Sequence, residues 1–268
     1  MNNPKLVFVF DIDGTLSPPG KGRVSKEVRA LLKRALPYPA FVASGMDGAY
    51  CEEVVRQIGG AGWFGETGAV YRRGRDAPVV NSNGGVRSLL DAIEFSPWNN
   101  RDGLAFARLG ECTSILSFDP RARKGSFVIR PDPTGAYPSA RLCEFLQEVI
   151  RERGLKVSIV GPYPDGNLDL VSYGRDDERI SKATVIKLLR EWFPEAGIVV
   201  FGDGENDVSM AELADLVVTF ANGHPELKRI AQERGGIVVP LPGPEGGCAM
   251  GIQWALQRFG AKSAVRNS

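Results

Sequence analysis

The first apolar run of the chain ends in an acid. Leu6-Val7-Phe8-Val9-Phe10 carries no polar side chain, and Asp11-Ile12-Asp13-Gly14-Thr15 follows at once. The run reads as a strand over Lys5–Phe10 buried on both faces, the mark of a parallel sheet covered by helices on two sides. Helical and strand-like segments then alternate. Ser25 opens a helix with Val28, Leu31 and Leu32 at helical spacing, Ala40–Ala43 is a short strand, and Asp47–Ile58 is a helix closed by Gly59-Gly60. Trp63–Gly65 and Ala69–Tyr71 read as short strands around a turn. The alternation resumes with a helix over Ser181–Trp192 and strands over Ile198–Phe201, Leu216–Thr219 and Ile237–Val239. Helices over Asn206–Leu213, Pro225–Arg234 and Cys248–Phe259 fall between and after those strands, and the tail from Gly260 reads as frayed. This order predicts an α/β fold with a doubly wound parallel, Rossmann-like sheet.

The stretch between these halves has another character. From Gly85 to Tyr173 the pattern reads helix, two strands, helix, two strands. The helices are Val86–Ile93 and Ser139–Arg153; the strands are Thr113–Phe118, Ser126–Arg130, Lys156–Val160 and Leu168–Val171. We expect a discontinuous core of residues 1–82 and 174–268 with an inserted α+β unit over 83–173.

In a doubly wound sheet the ligand site lies at the carboxyl ends of the strands. Asp11 and Asp13 follow the first strand, and Ser44-Gly45 the second. Lys182 opens a later helix, and Gly202-Asp203-Gly204-Glu205-Asn206-Asp207 follows another strand. Clustered carboxylates repel unless a cation sits among them, and hard oxygen ligands select Mg²⁺, which favours phosphate partners. A hydroxyl, backbone N–H groups near glycines and a Lys suit a phosphoryl group. A carboxylate so placed can attack phosphorus to form an aspartyl-phosphate. Taken singly, each residue has a plainer reading: Ser44 as a helix cap, Lys182 as a solvated side chain, Asp203 and Asp207 as acids suited to a helix start. A calcium loop of the EF-hand type needs a Glu eleven positions after its first ligand, where Gly22 stands. The weight lies in the joint placement.

Composition narrows the field. With 33 Lys+Arg against 32 Asp+Glu, the net charge of +1 gives no global field to hold nucleic acid or anionic lipid. Arg121, Arg123 and Lys124 form a short basic cluster read as a solvated loop. Cys51, Cys112, Cys143 and Cys248 lie far apart, with no CxxC pair, and read as reduced thiols of a cytoplasmic protein. A single His, His224, disfavours His-based triads and His-rich metal sites; its Asn222-Gly223-His224-Pro225 context reads as a loop entering a helix. No apolar run approaches the roughly 20 residues needed to span a membrane, so neither membrane nor nucleic acid is an expected partner.

The four segments, in this order, resemble the haloacid dehalogenase-like hydrolase superfamily. Phe10-Asp11-Ile12-Asp13-Gly14-Thr15-Leu16 is similar to its first motif, Ala43-Ser44-Gly45 to its second, Lys182 to its third and Gly202–Asp207 to its fourth. The inserted unit resembles, in position and element order, the α/β cap of the Cof-like branch, which holds many sugar-phosphate phosphatases; Ala221-Asn222-Gly223-His224-Pro225-Glu226 is also similar to that branch. The resemblance implies that Asp11 is the nucleophile and a metal ligand. Asp13 would be the general acid and then base, its backbone carbonyl also on Mg²⁺. Ser44, Gly45, Lys182 and Asn206 would bind the phosphoryl group, and Asp203 and Asp207 would serve the metal, Asp207 through water or by orienting the others. An acid two residues after the nucleophile favours transfer from an ester, because the leaving alkoxide must be protonated.

Two departures touch substrate contacts rather than chemistry. Met46 stands where Cof-like members often carry Arg, and Glu66-Thr67-Gly68-Ala69 where they often carry Glu-Asn-Gly-Ala. The resemblance implies a cap that closes over the site, with loops Trp98–Asp102 and Tyr163–Asn167 offering polar groups to a polyhydroxylated ligand. The expectation is a Mg²⁺-dependent phosphatase of a small phosphorylated metabolite, most simply a sugar phosphate, as a monomer or homodimer. A phosphoglycolate phosphatase, a sugar phosphomutase and a non-catalytic phosphate-binding protein are the alternatives.

Overall fold

The computed structural model describes residues 4–34, 38–94, 96–99, 104–109, 112–118, 123–131, 139–163 and 166–265. The opening apolar run forms β1 (Leu6–Phe10), and all five of its side chains are withdrawn from solvent. Local signals set the elements that follow it. After α1 (Lys26–Arg34) and β2 (Ala40–Ala43), the Asp47 carboxylate accepts the backbone N–H groups of Ala49 and Tyr50 and so starts α2 (Gly48–Ile58). Gly59, in the left-handed conformation, ends that helix and donates to Val55 O. Next come β3 (Gly62–Gly65) and β4 (Val70–Arg73).

The chain divides into two compact units, one ending at Pro78 and resuming at Ser181, the other running from Val79 to Ile180. The second unit holds β5 (Val79–Val80), α3 (Gly85–Ala92), β6 (Ser96–Asn99), β7 (Leu104–Leu109), β8 (Cys112–Phe118) and β9 (Ser126–Pro131). α4 (Ser139–Arg153), β10 (Val157–Val160) and β11 (Leu168–Ser172) complete it. Six of these strands form an antiparallel sheet in the order β10-β11-β9-β8-β7-β6. Leu89 and Ile93 at α3, Leu142 and Leu146 from α4, and Ile129, Leu168 and Leu170 from the sheet form its core.

The first unit resumes with α5 (Lys182–Trp192), capped by a reciprocal Ser181–Thr184 capping box, then β12 (Gly197–Phe201) and α6 (Val208–Ala211). β13 (Leu216–Phe220), α7 (Pro225–Glu233), β14 (Ile237–Val239) and α8 (Gly247–Val265) follow. Its strands lie in the order β14-β13-β12-β1-β2-β3-β4, parallel except for β4. From β1 the chain winds outward through β2 and β3; from β12 it winds the other way through β13 and β14. The winding therefore reverses between β1 and β12, which makes their carboxyl ends the topological switch point. Phe10 and Phe201 pair in register there, with rings stacked at 4.4 Å between centroids. Such a stack adds about 0.5–1.5 kcal/mol beyond area burial and fixes the two strand ends side by side.

Several expectations need correction. The inserted sheet has four strands between α3 and α4 rather than two. β6 and β7 are the two added strands, and β6 escaped the reading because Pro97 speaks against a strand. β6 is an edge strand with an irregular register between Pro97 and Asn99, where a proline is tolerated. Asn206–Leu213 is not one helix but a 3-10 turn, Glu205–Asp207, leading into the short α6. α8 does not fray at Gly260 but continues to Val265. The unit joints fall after Pro78 and Ile180, outside the expected 82 and 174. The two linking segments bond to each other: Asn81 to Glu178 and the Arg175 N–H, Asn83 to Asp177. Both lie within the second unit. Of the two expected substrate loops, 100–102 and 164–165 lie outside the described residues, as does the Trp98 side chain; Tyr163 donates to Asp169.

Candidate active site

Asp11 is the first residue beyond β1, and its N–H bonds to Phe201 O across the switch point. Its carboxylate is buried, and Oδ1 lies 2.5 Å from Lys182 Nζ. Lys182 comes from the first turn of α5 and is fully buried; its ammonium also lies 2.5 Å from Asp207 Oδ1. Asp207 is held in turn by the backbone. Its Oδ2 accepts the N–H groups of Asp203 (3.0 Å) and Gly204 (2.9 Å), which ties the strand-end loop into a closed turn. Gly202 is needed for that turn, because a Cβ there would lie 2.7 Å from Asp207 Cγ.

Asp203 is clamped through both carboxylate oxygens. Thr15 Oγ1 donates to Oδ1 at 2.8 Å, and Asn222 Nδ2 donates to Oδ2 at 2.9 Å. Asn222 also donates to Gly14 O and accepts from Gly243 N–H, so one amide links three loops. Gly14 lies against the same carboxylate at φ +88°, and a Cβ there would sit 2.1 Å from Asp203 Oδ2.

The electrostatics follow from burial. Desolvation raises Asp11 well above the usual carboxylate range; Lys182 opposes this, and the charges of Asp207 and Asp203 add to it. Asp203 is pushed up to about 6, chiefly by burial, with Thr15 working against the shift and Asp207 with it. Burial works against the Lys182 charge, but Asp11 and Asp207 outweigh it and hold the ammonium above the ordinary lysine value. Asp11, Asp203 and Asp207 each offer an oxygen within 4.8 Å of the others. Three carboxylates with only one ammonium among them leave negative charge that a hard divalent cation would neutralise, so the donor set fits Mg²⁺.

The remaining sequence-predicted residues fall nearby in the fold but outside this cluster. Asp13 turns its carboxylate to Gly20 N–H and the Tyr50 hydroxyl, both at 2.7 Å. Ser44, buried at the end of β2, accepts from Met46 N–H. Gly45 follows it, next to the loop in which Thr67 N–H bonds to Ser44 O and Glu66 N–H to Met46 O. Asn206 is exposed in the 3-10 turn, with its side chain folded over Gly204. Sequence reasoning gave no role to Thr15, Tyr50 or Asn222. Thr15 and Asn222 stand just past strands, where the strand-end rule could have found them; Tyr50 sits inside a helix and carried no signal. His224 caps α7, its Nδ1 accepting Glu226 N–H at 3.3 Å.

A doubly wound sheet thus carries a carboxylate–lysine cluster at its switch point and is interrupted by an inserted α+β unit. Residues 141–236, about a third of the chain, match the family model of haloacid dehalogenase-like hydrolases. No curated protein sequence matches significantly. A haloacid dehalogenase-like hydrolase from Bacteroides thetaiotaomicron has a similar structure (TM-score 0.65, 19% identity, covering 94% of this chain and 100% of that one). So do a subclass IIB sugar phosphatase of the same superfamily (0.62, 18%, 95% and 99%) and the sucrose-phosphatase of Synechocystis solved with sucrose and phosphate (0.59, 18%, 95% and 98%). At these identities the structural likeness speaks for the fold alone. The family match over residues 141–236 and the four motifs make the chain similar to haloacid dehalogenase-like hydrolases.

Proposed function

We propose that this chain is a haloacid dehalogenase-like hydrolase and a Mg²⁺-dependent phosphatase of a small phosphorylated metabolite, most simply a sugar phosphate, working through an aspartyl-phosphate on Asp11. One observation carries the reading: a buried carboxylate at the switch point, held against Lys182 and flanked by Asp203 and Asp207. Asp11 would attack phosphorus, with Lys182 holding a phosphoryl oxygen and screening the nucleophile from Asp207. Ser44, whose oxygen accepts from Met46 N–H, keeps its own proton for a second phosphoryl oxygen. Gly45 and Asn206 are proposed to complete the phosphate contacts. Asp13 would protonate the leaving alkoxide and then take a proton from the water that hydrolyses the phosphoenzyme. Asp11, Asp203, Asp207 and the Asp13 backbone carbonyl would hold Mg²⁺, which when bound would neutralise phosphoryl charge. The sugar-phosphatase structures with the same fold support the substrate class. No helix among the described residues is long and apolar enough to cross a membrane.

The test is phosphate release across sugar phosphates, phosphoglycolate and other small monoesters, with Asp11→Asn and EDTA controls. Selective turnover lost in both controls is expected. Turnover that survives Asp11→Asn, or none on any ester, would overturn the proposal.

A further inference from the structure

Asp13 is held by groups outside the metal and phosphate cluster. Its Oδ1 accepts both the Tyr50 hydroxyl and the Gly20 N–H at 2.7 Å. Tyr50 belongs to the first turn of α2, and its own backbone N–H is bound by the Asp47 cap, so the ring is set from a fixed helix start. Two helical turns on, the Gln57 amide donates to Gly22 O at 2.8 Å and accepts Val24 N–H at 3.0 Å. The Tyr50 ring lies against Gly22. One face of α2 thus fixes both donors to Asp13: the hydroxyl directly, and Gly20 through the strap that Gln57 clamps. A phenol hydroxyl has a proton to donate, and the Asp13 oxygen it meets also accepts the Gly20 N–H. The bond therefore runs from Tyr50 to Asp13.

We infer that Tyr50 is a positioning residue for acid–base transfer: with Gly20 N–H it fills the acceptor sites of Asp13 Oδ1 and so assigns the transferred proton to Oδ2. The inference rests on the acid–base role proposed for Asp13. In the first step the Asp11 oxygen–phosphorus bond forms as the ester oxygen–phosphorus bond breaks, and the Oδ2 proton passes to the departing alkoxide to give an alcohol. In the second, Oδ2 takes a proton from water as the water oxygen bonds to phosphorus and the Asp11 oxygen leaves.

General-acid help matters in proportion to the basicity of the leaving oxygen, and kcat/KM covers only the steps through loss of the alcohol. That separates positioning from mere structure. Tyr50→Phe keeps the ring and removes the hydroxyl. Its kcat/KM is measured with 4-nitrophenyl phosphate, phenyl phosphate and the sugar phosphate that the wild type turns over fastest. General acids contribute about 10²–10⁴-fold, so partial misplacement is expected to cost about 30-fold on the sugar ester. The expected loss on the nitrophenyl ester is less than about threefold, with the phenyl ester between. The ratio between esters is independent of how much of the variant is folded. An equal loss on all three esters, or no loss, overturns the role of Tyr50 alone. A wild type without Asp11-dependent turnover overturns the reading of the site and this inference with it, and is seen before the variant is made.

Discussion

Removing the buried ammonium tests the electrostatic logic of the site without any substrate. Lys182→Met keeps an unbranched side chain of similar length in a position with no solvent exposure, but leaves Asp11 and Asp207 facing each other without the cation that lies 2.5 Å from each. Breaking a buried ion pair from one side costs about 3–5 kcal/mol. Protonating a carboxylate is the escape from that penalty. Starting from an unperturbed aspartate near 3.9, it costs about 1.4 kcal/mol per pH unit, hence about 5 kcal/mol at pH 7.5 and about 1.5 kcal/mol at pH 5. The folded-state pKa of the pair in the variant lies above the unfolded one, so its stability is fullest at low pH and is lost as pH rises. The destabilisation relative to wild type should therefore shrink from about 4 kcal/mol at pH 7.5 to about 1.5 kcal/mol at pH 5. Thermal melting in EDTA reads this as a drop of about 8–16 °C at pH 7.5, at about 2–4 °C per kcal/mol for a domain of this size. The double variant Lys182→Met/Asp207→Asn should recover part of the loss, because it removes one of the stranded charges. A loss below about 1 kcal/mol, or one equal at both pH values, would refute the account.

The metal-free protein should gain melting temperature as pH falls from 7.5 to 5. Asp203 is raised to about 6 and Asp11 well above its usual range, so each contributes stability at low pH that disappears as pH rises through its folded value. Mg²⁺ should consequently raise the melting temperature more at pH 7.5 than at pH 5, and an equal increment at both would contradict the carboxylate set. Asn222→Ala should weaken Mg²⁺ binding about tenfold by calorimetry, because Asp203 Oδ2 loses the donor that orients it. Gly14→Ala should cost about 1–3 kcal/mol in a denaturant titration, since its Cβ would drive into Asp203 from a left-handed backbone; a neutral substitution would mean that the loop is pliable.

How much of this was readable beforehand follows from the range of each signal. Apolar runs, caps and glycines act over a few residues, so β1, the Asp47 and Ser181 caps, the Gly59 stop and Pro225 at the start of α7 were all legible. The strand-end rule turned that element order into a site, and the motif resemblance assigned expected roles to its residues. It missed β6, where a proline contradicted a strand that only an edge position permits. It also missed Tyr50, because a tyrosine in an amphipathic helix looks like any packing residue.

What the chain alone determined is which residues end its strands and open its helices, because backbone preference and apolar periodicity are local. What the tertiary structure decided is which oxygen meets which donor. Lys182 reaches Asp11 across 171 positions, Thr15 reaches Asp203 across 188, and Asn222 reaches Gly14 across 208. Those contacts exist because the parallel register of β1 and β12 brings distant loops to one edge, and no local propensity encodes a hydrogen bond between side chains that far apart. The orientation of Asp13 toward Tyr50 is of the same kind, set by where α2 docks and not by the residues around either partner.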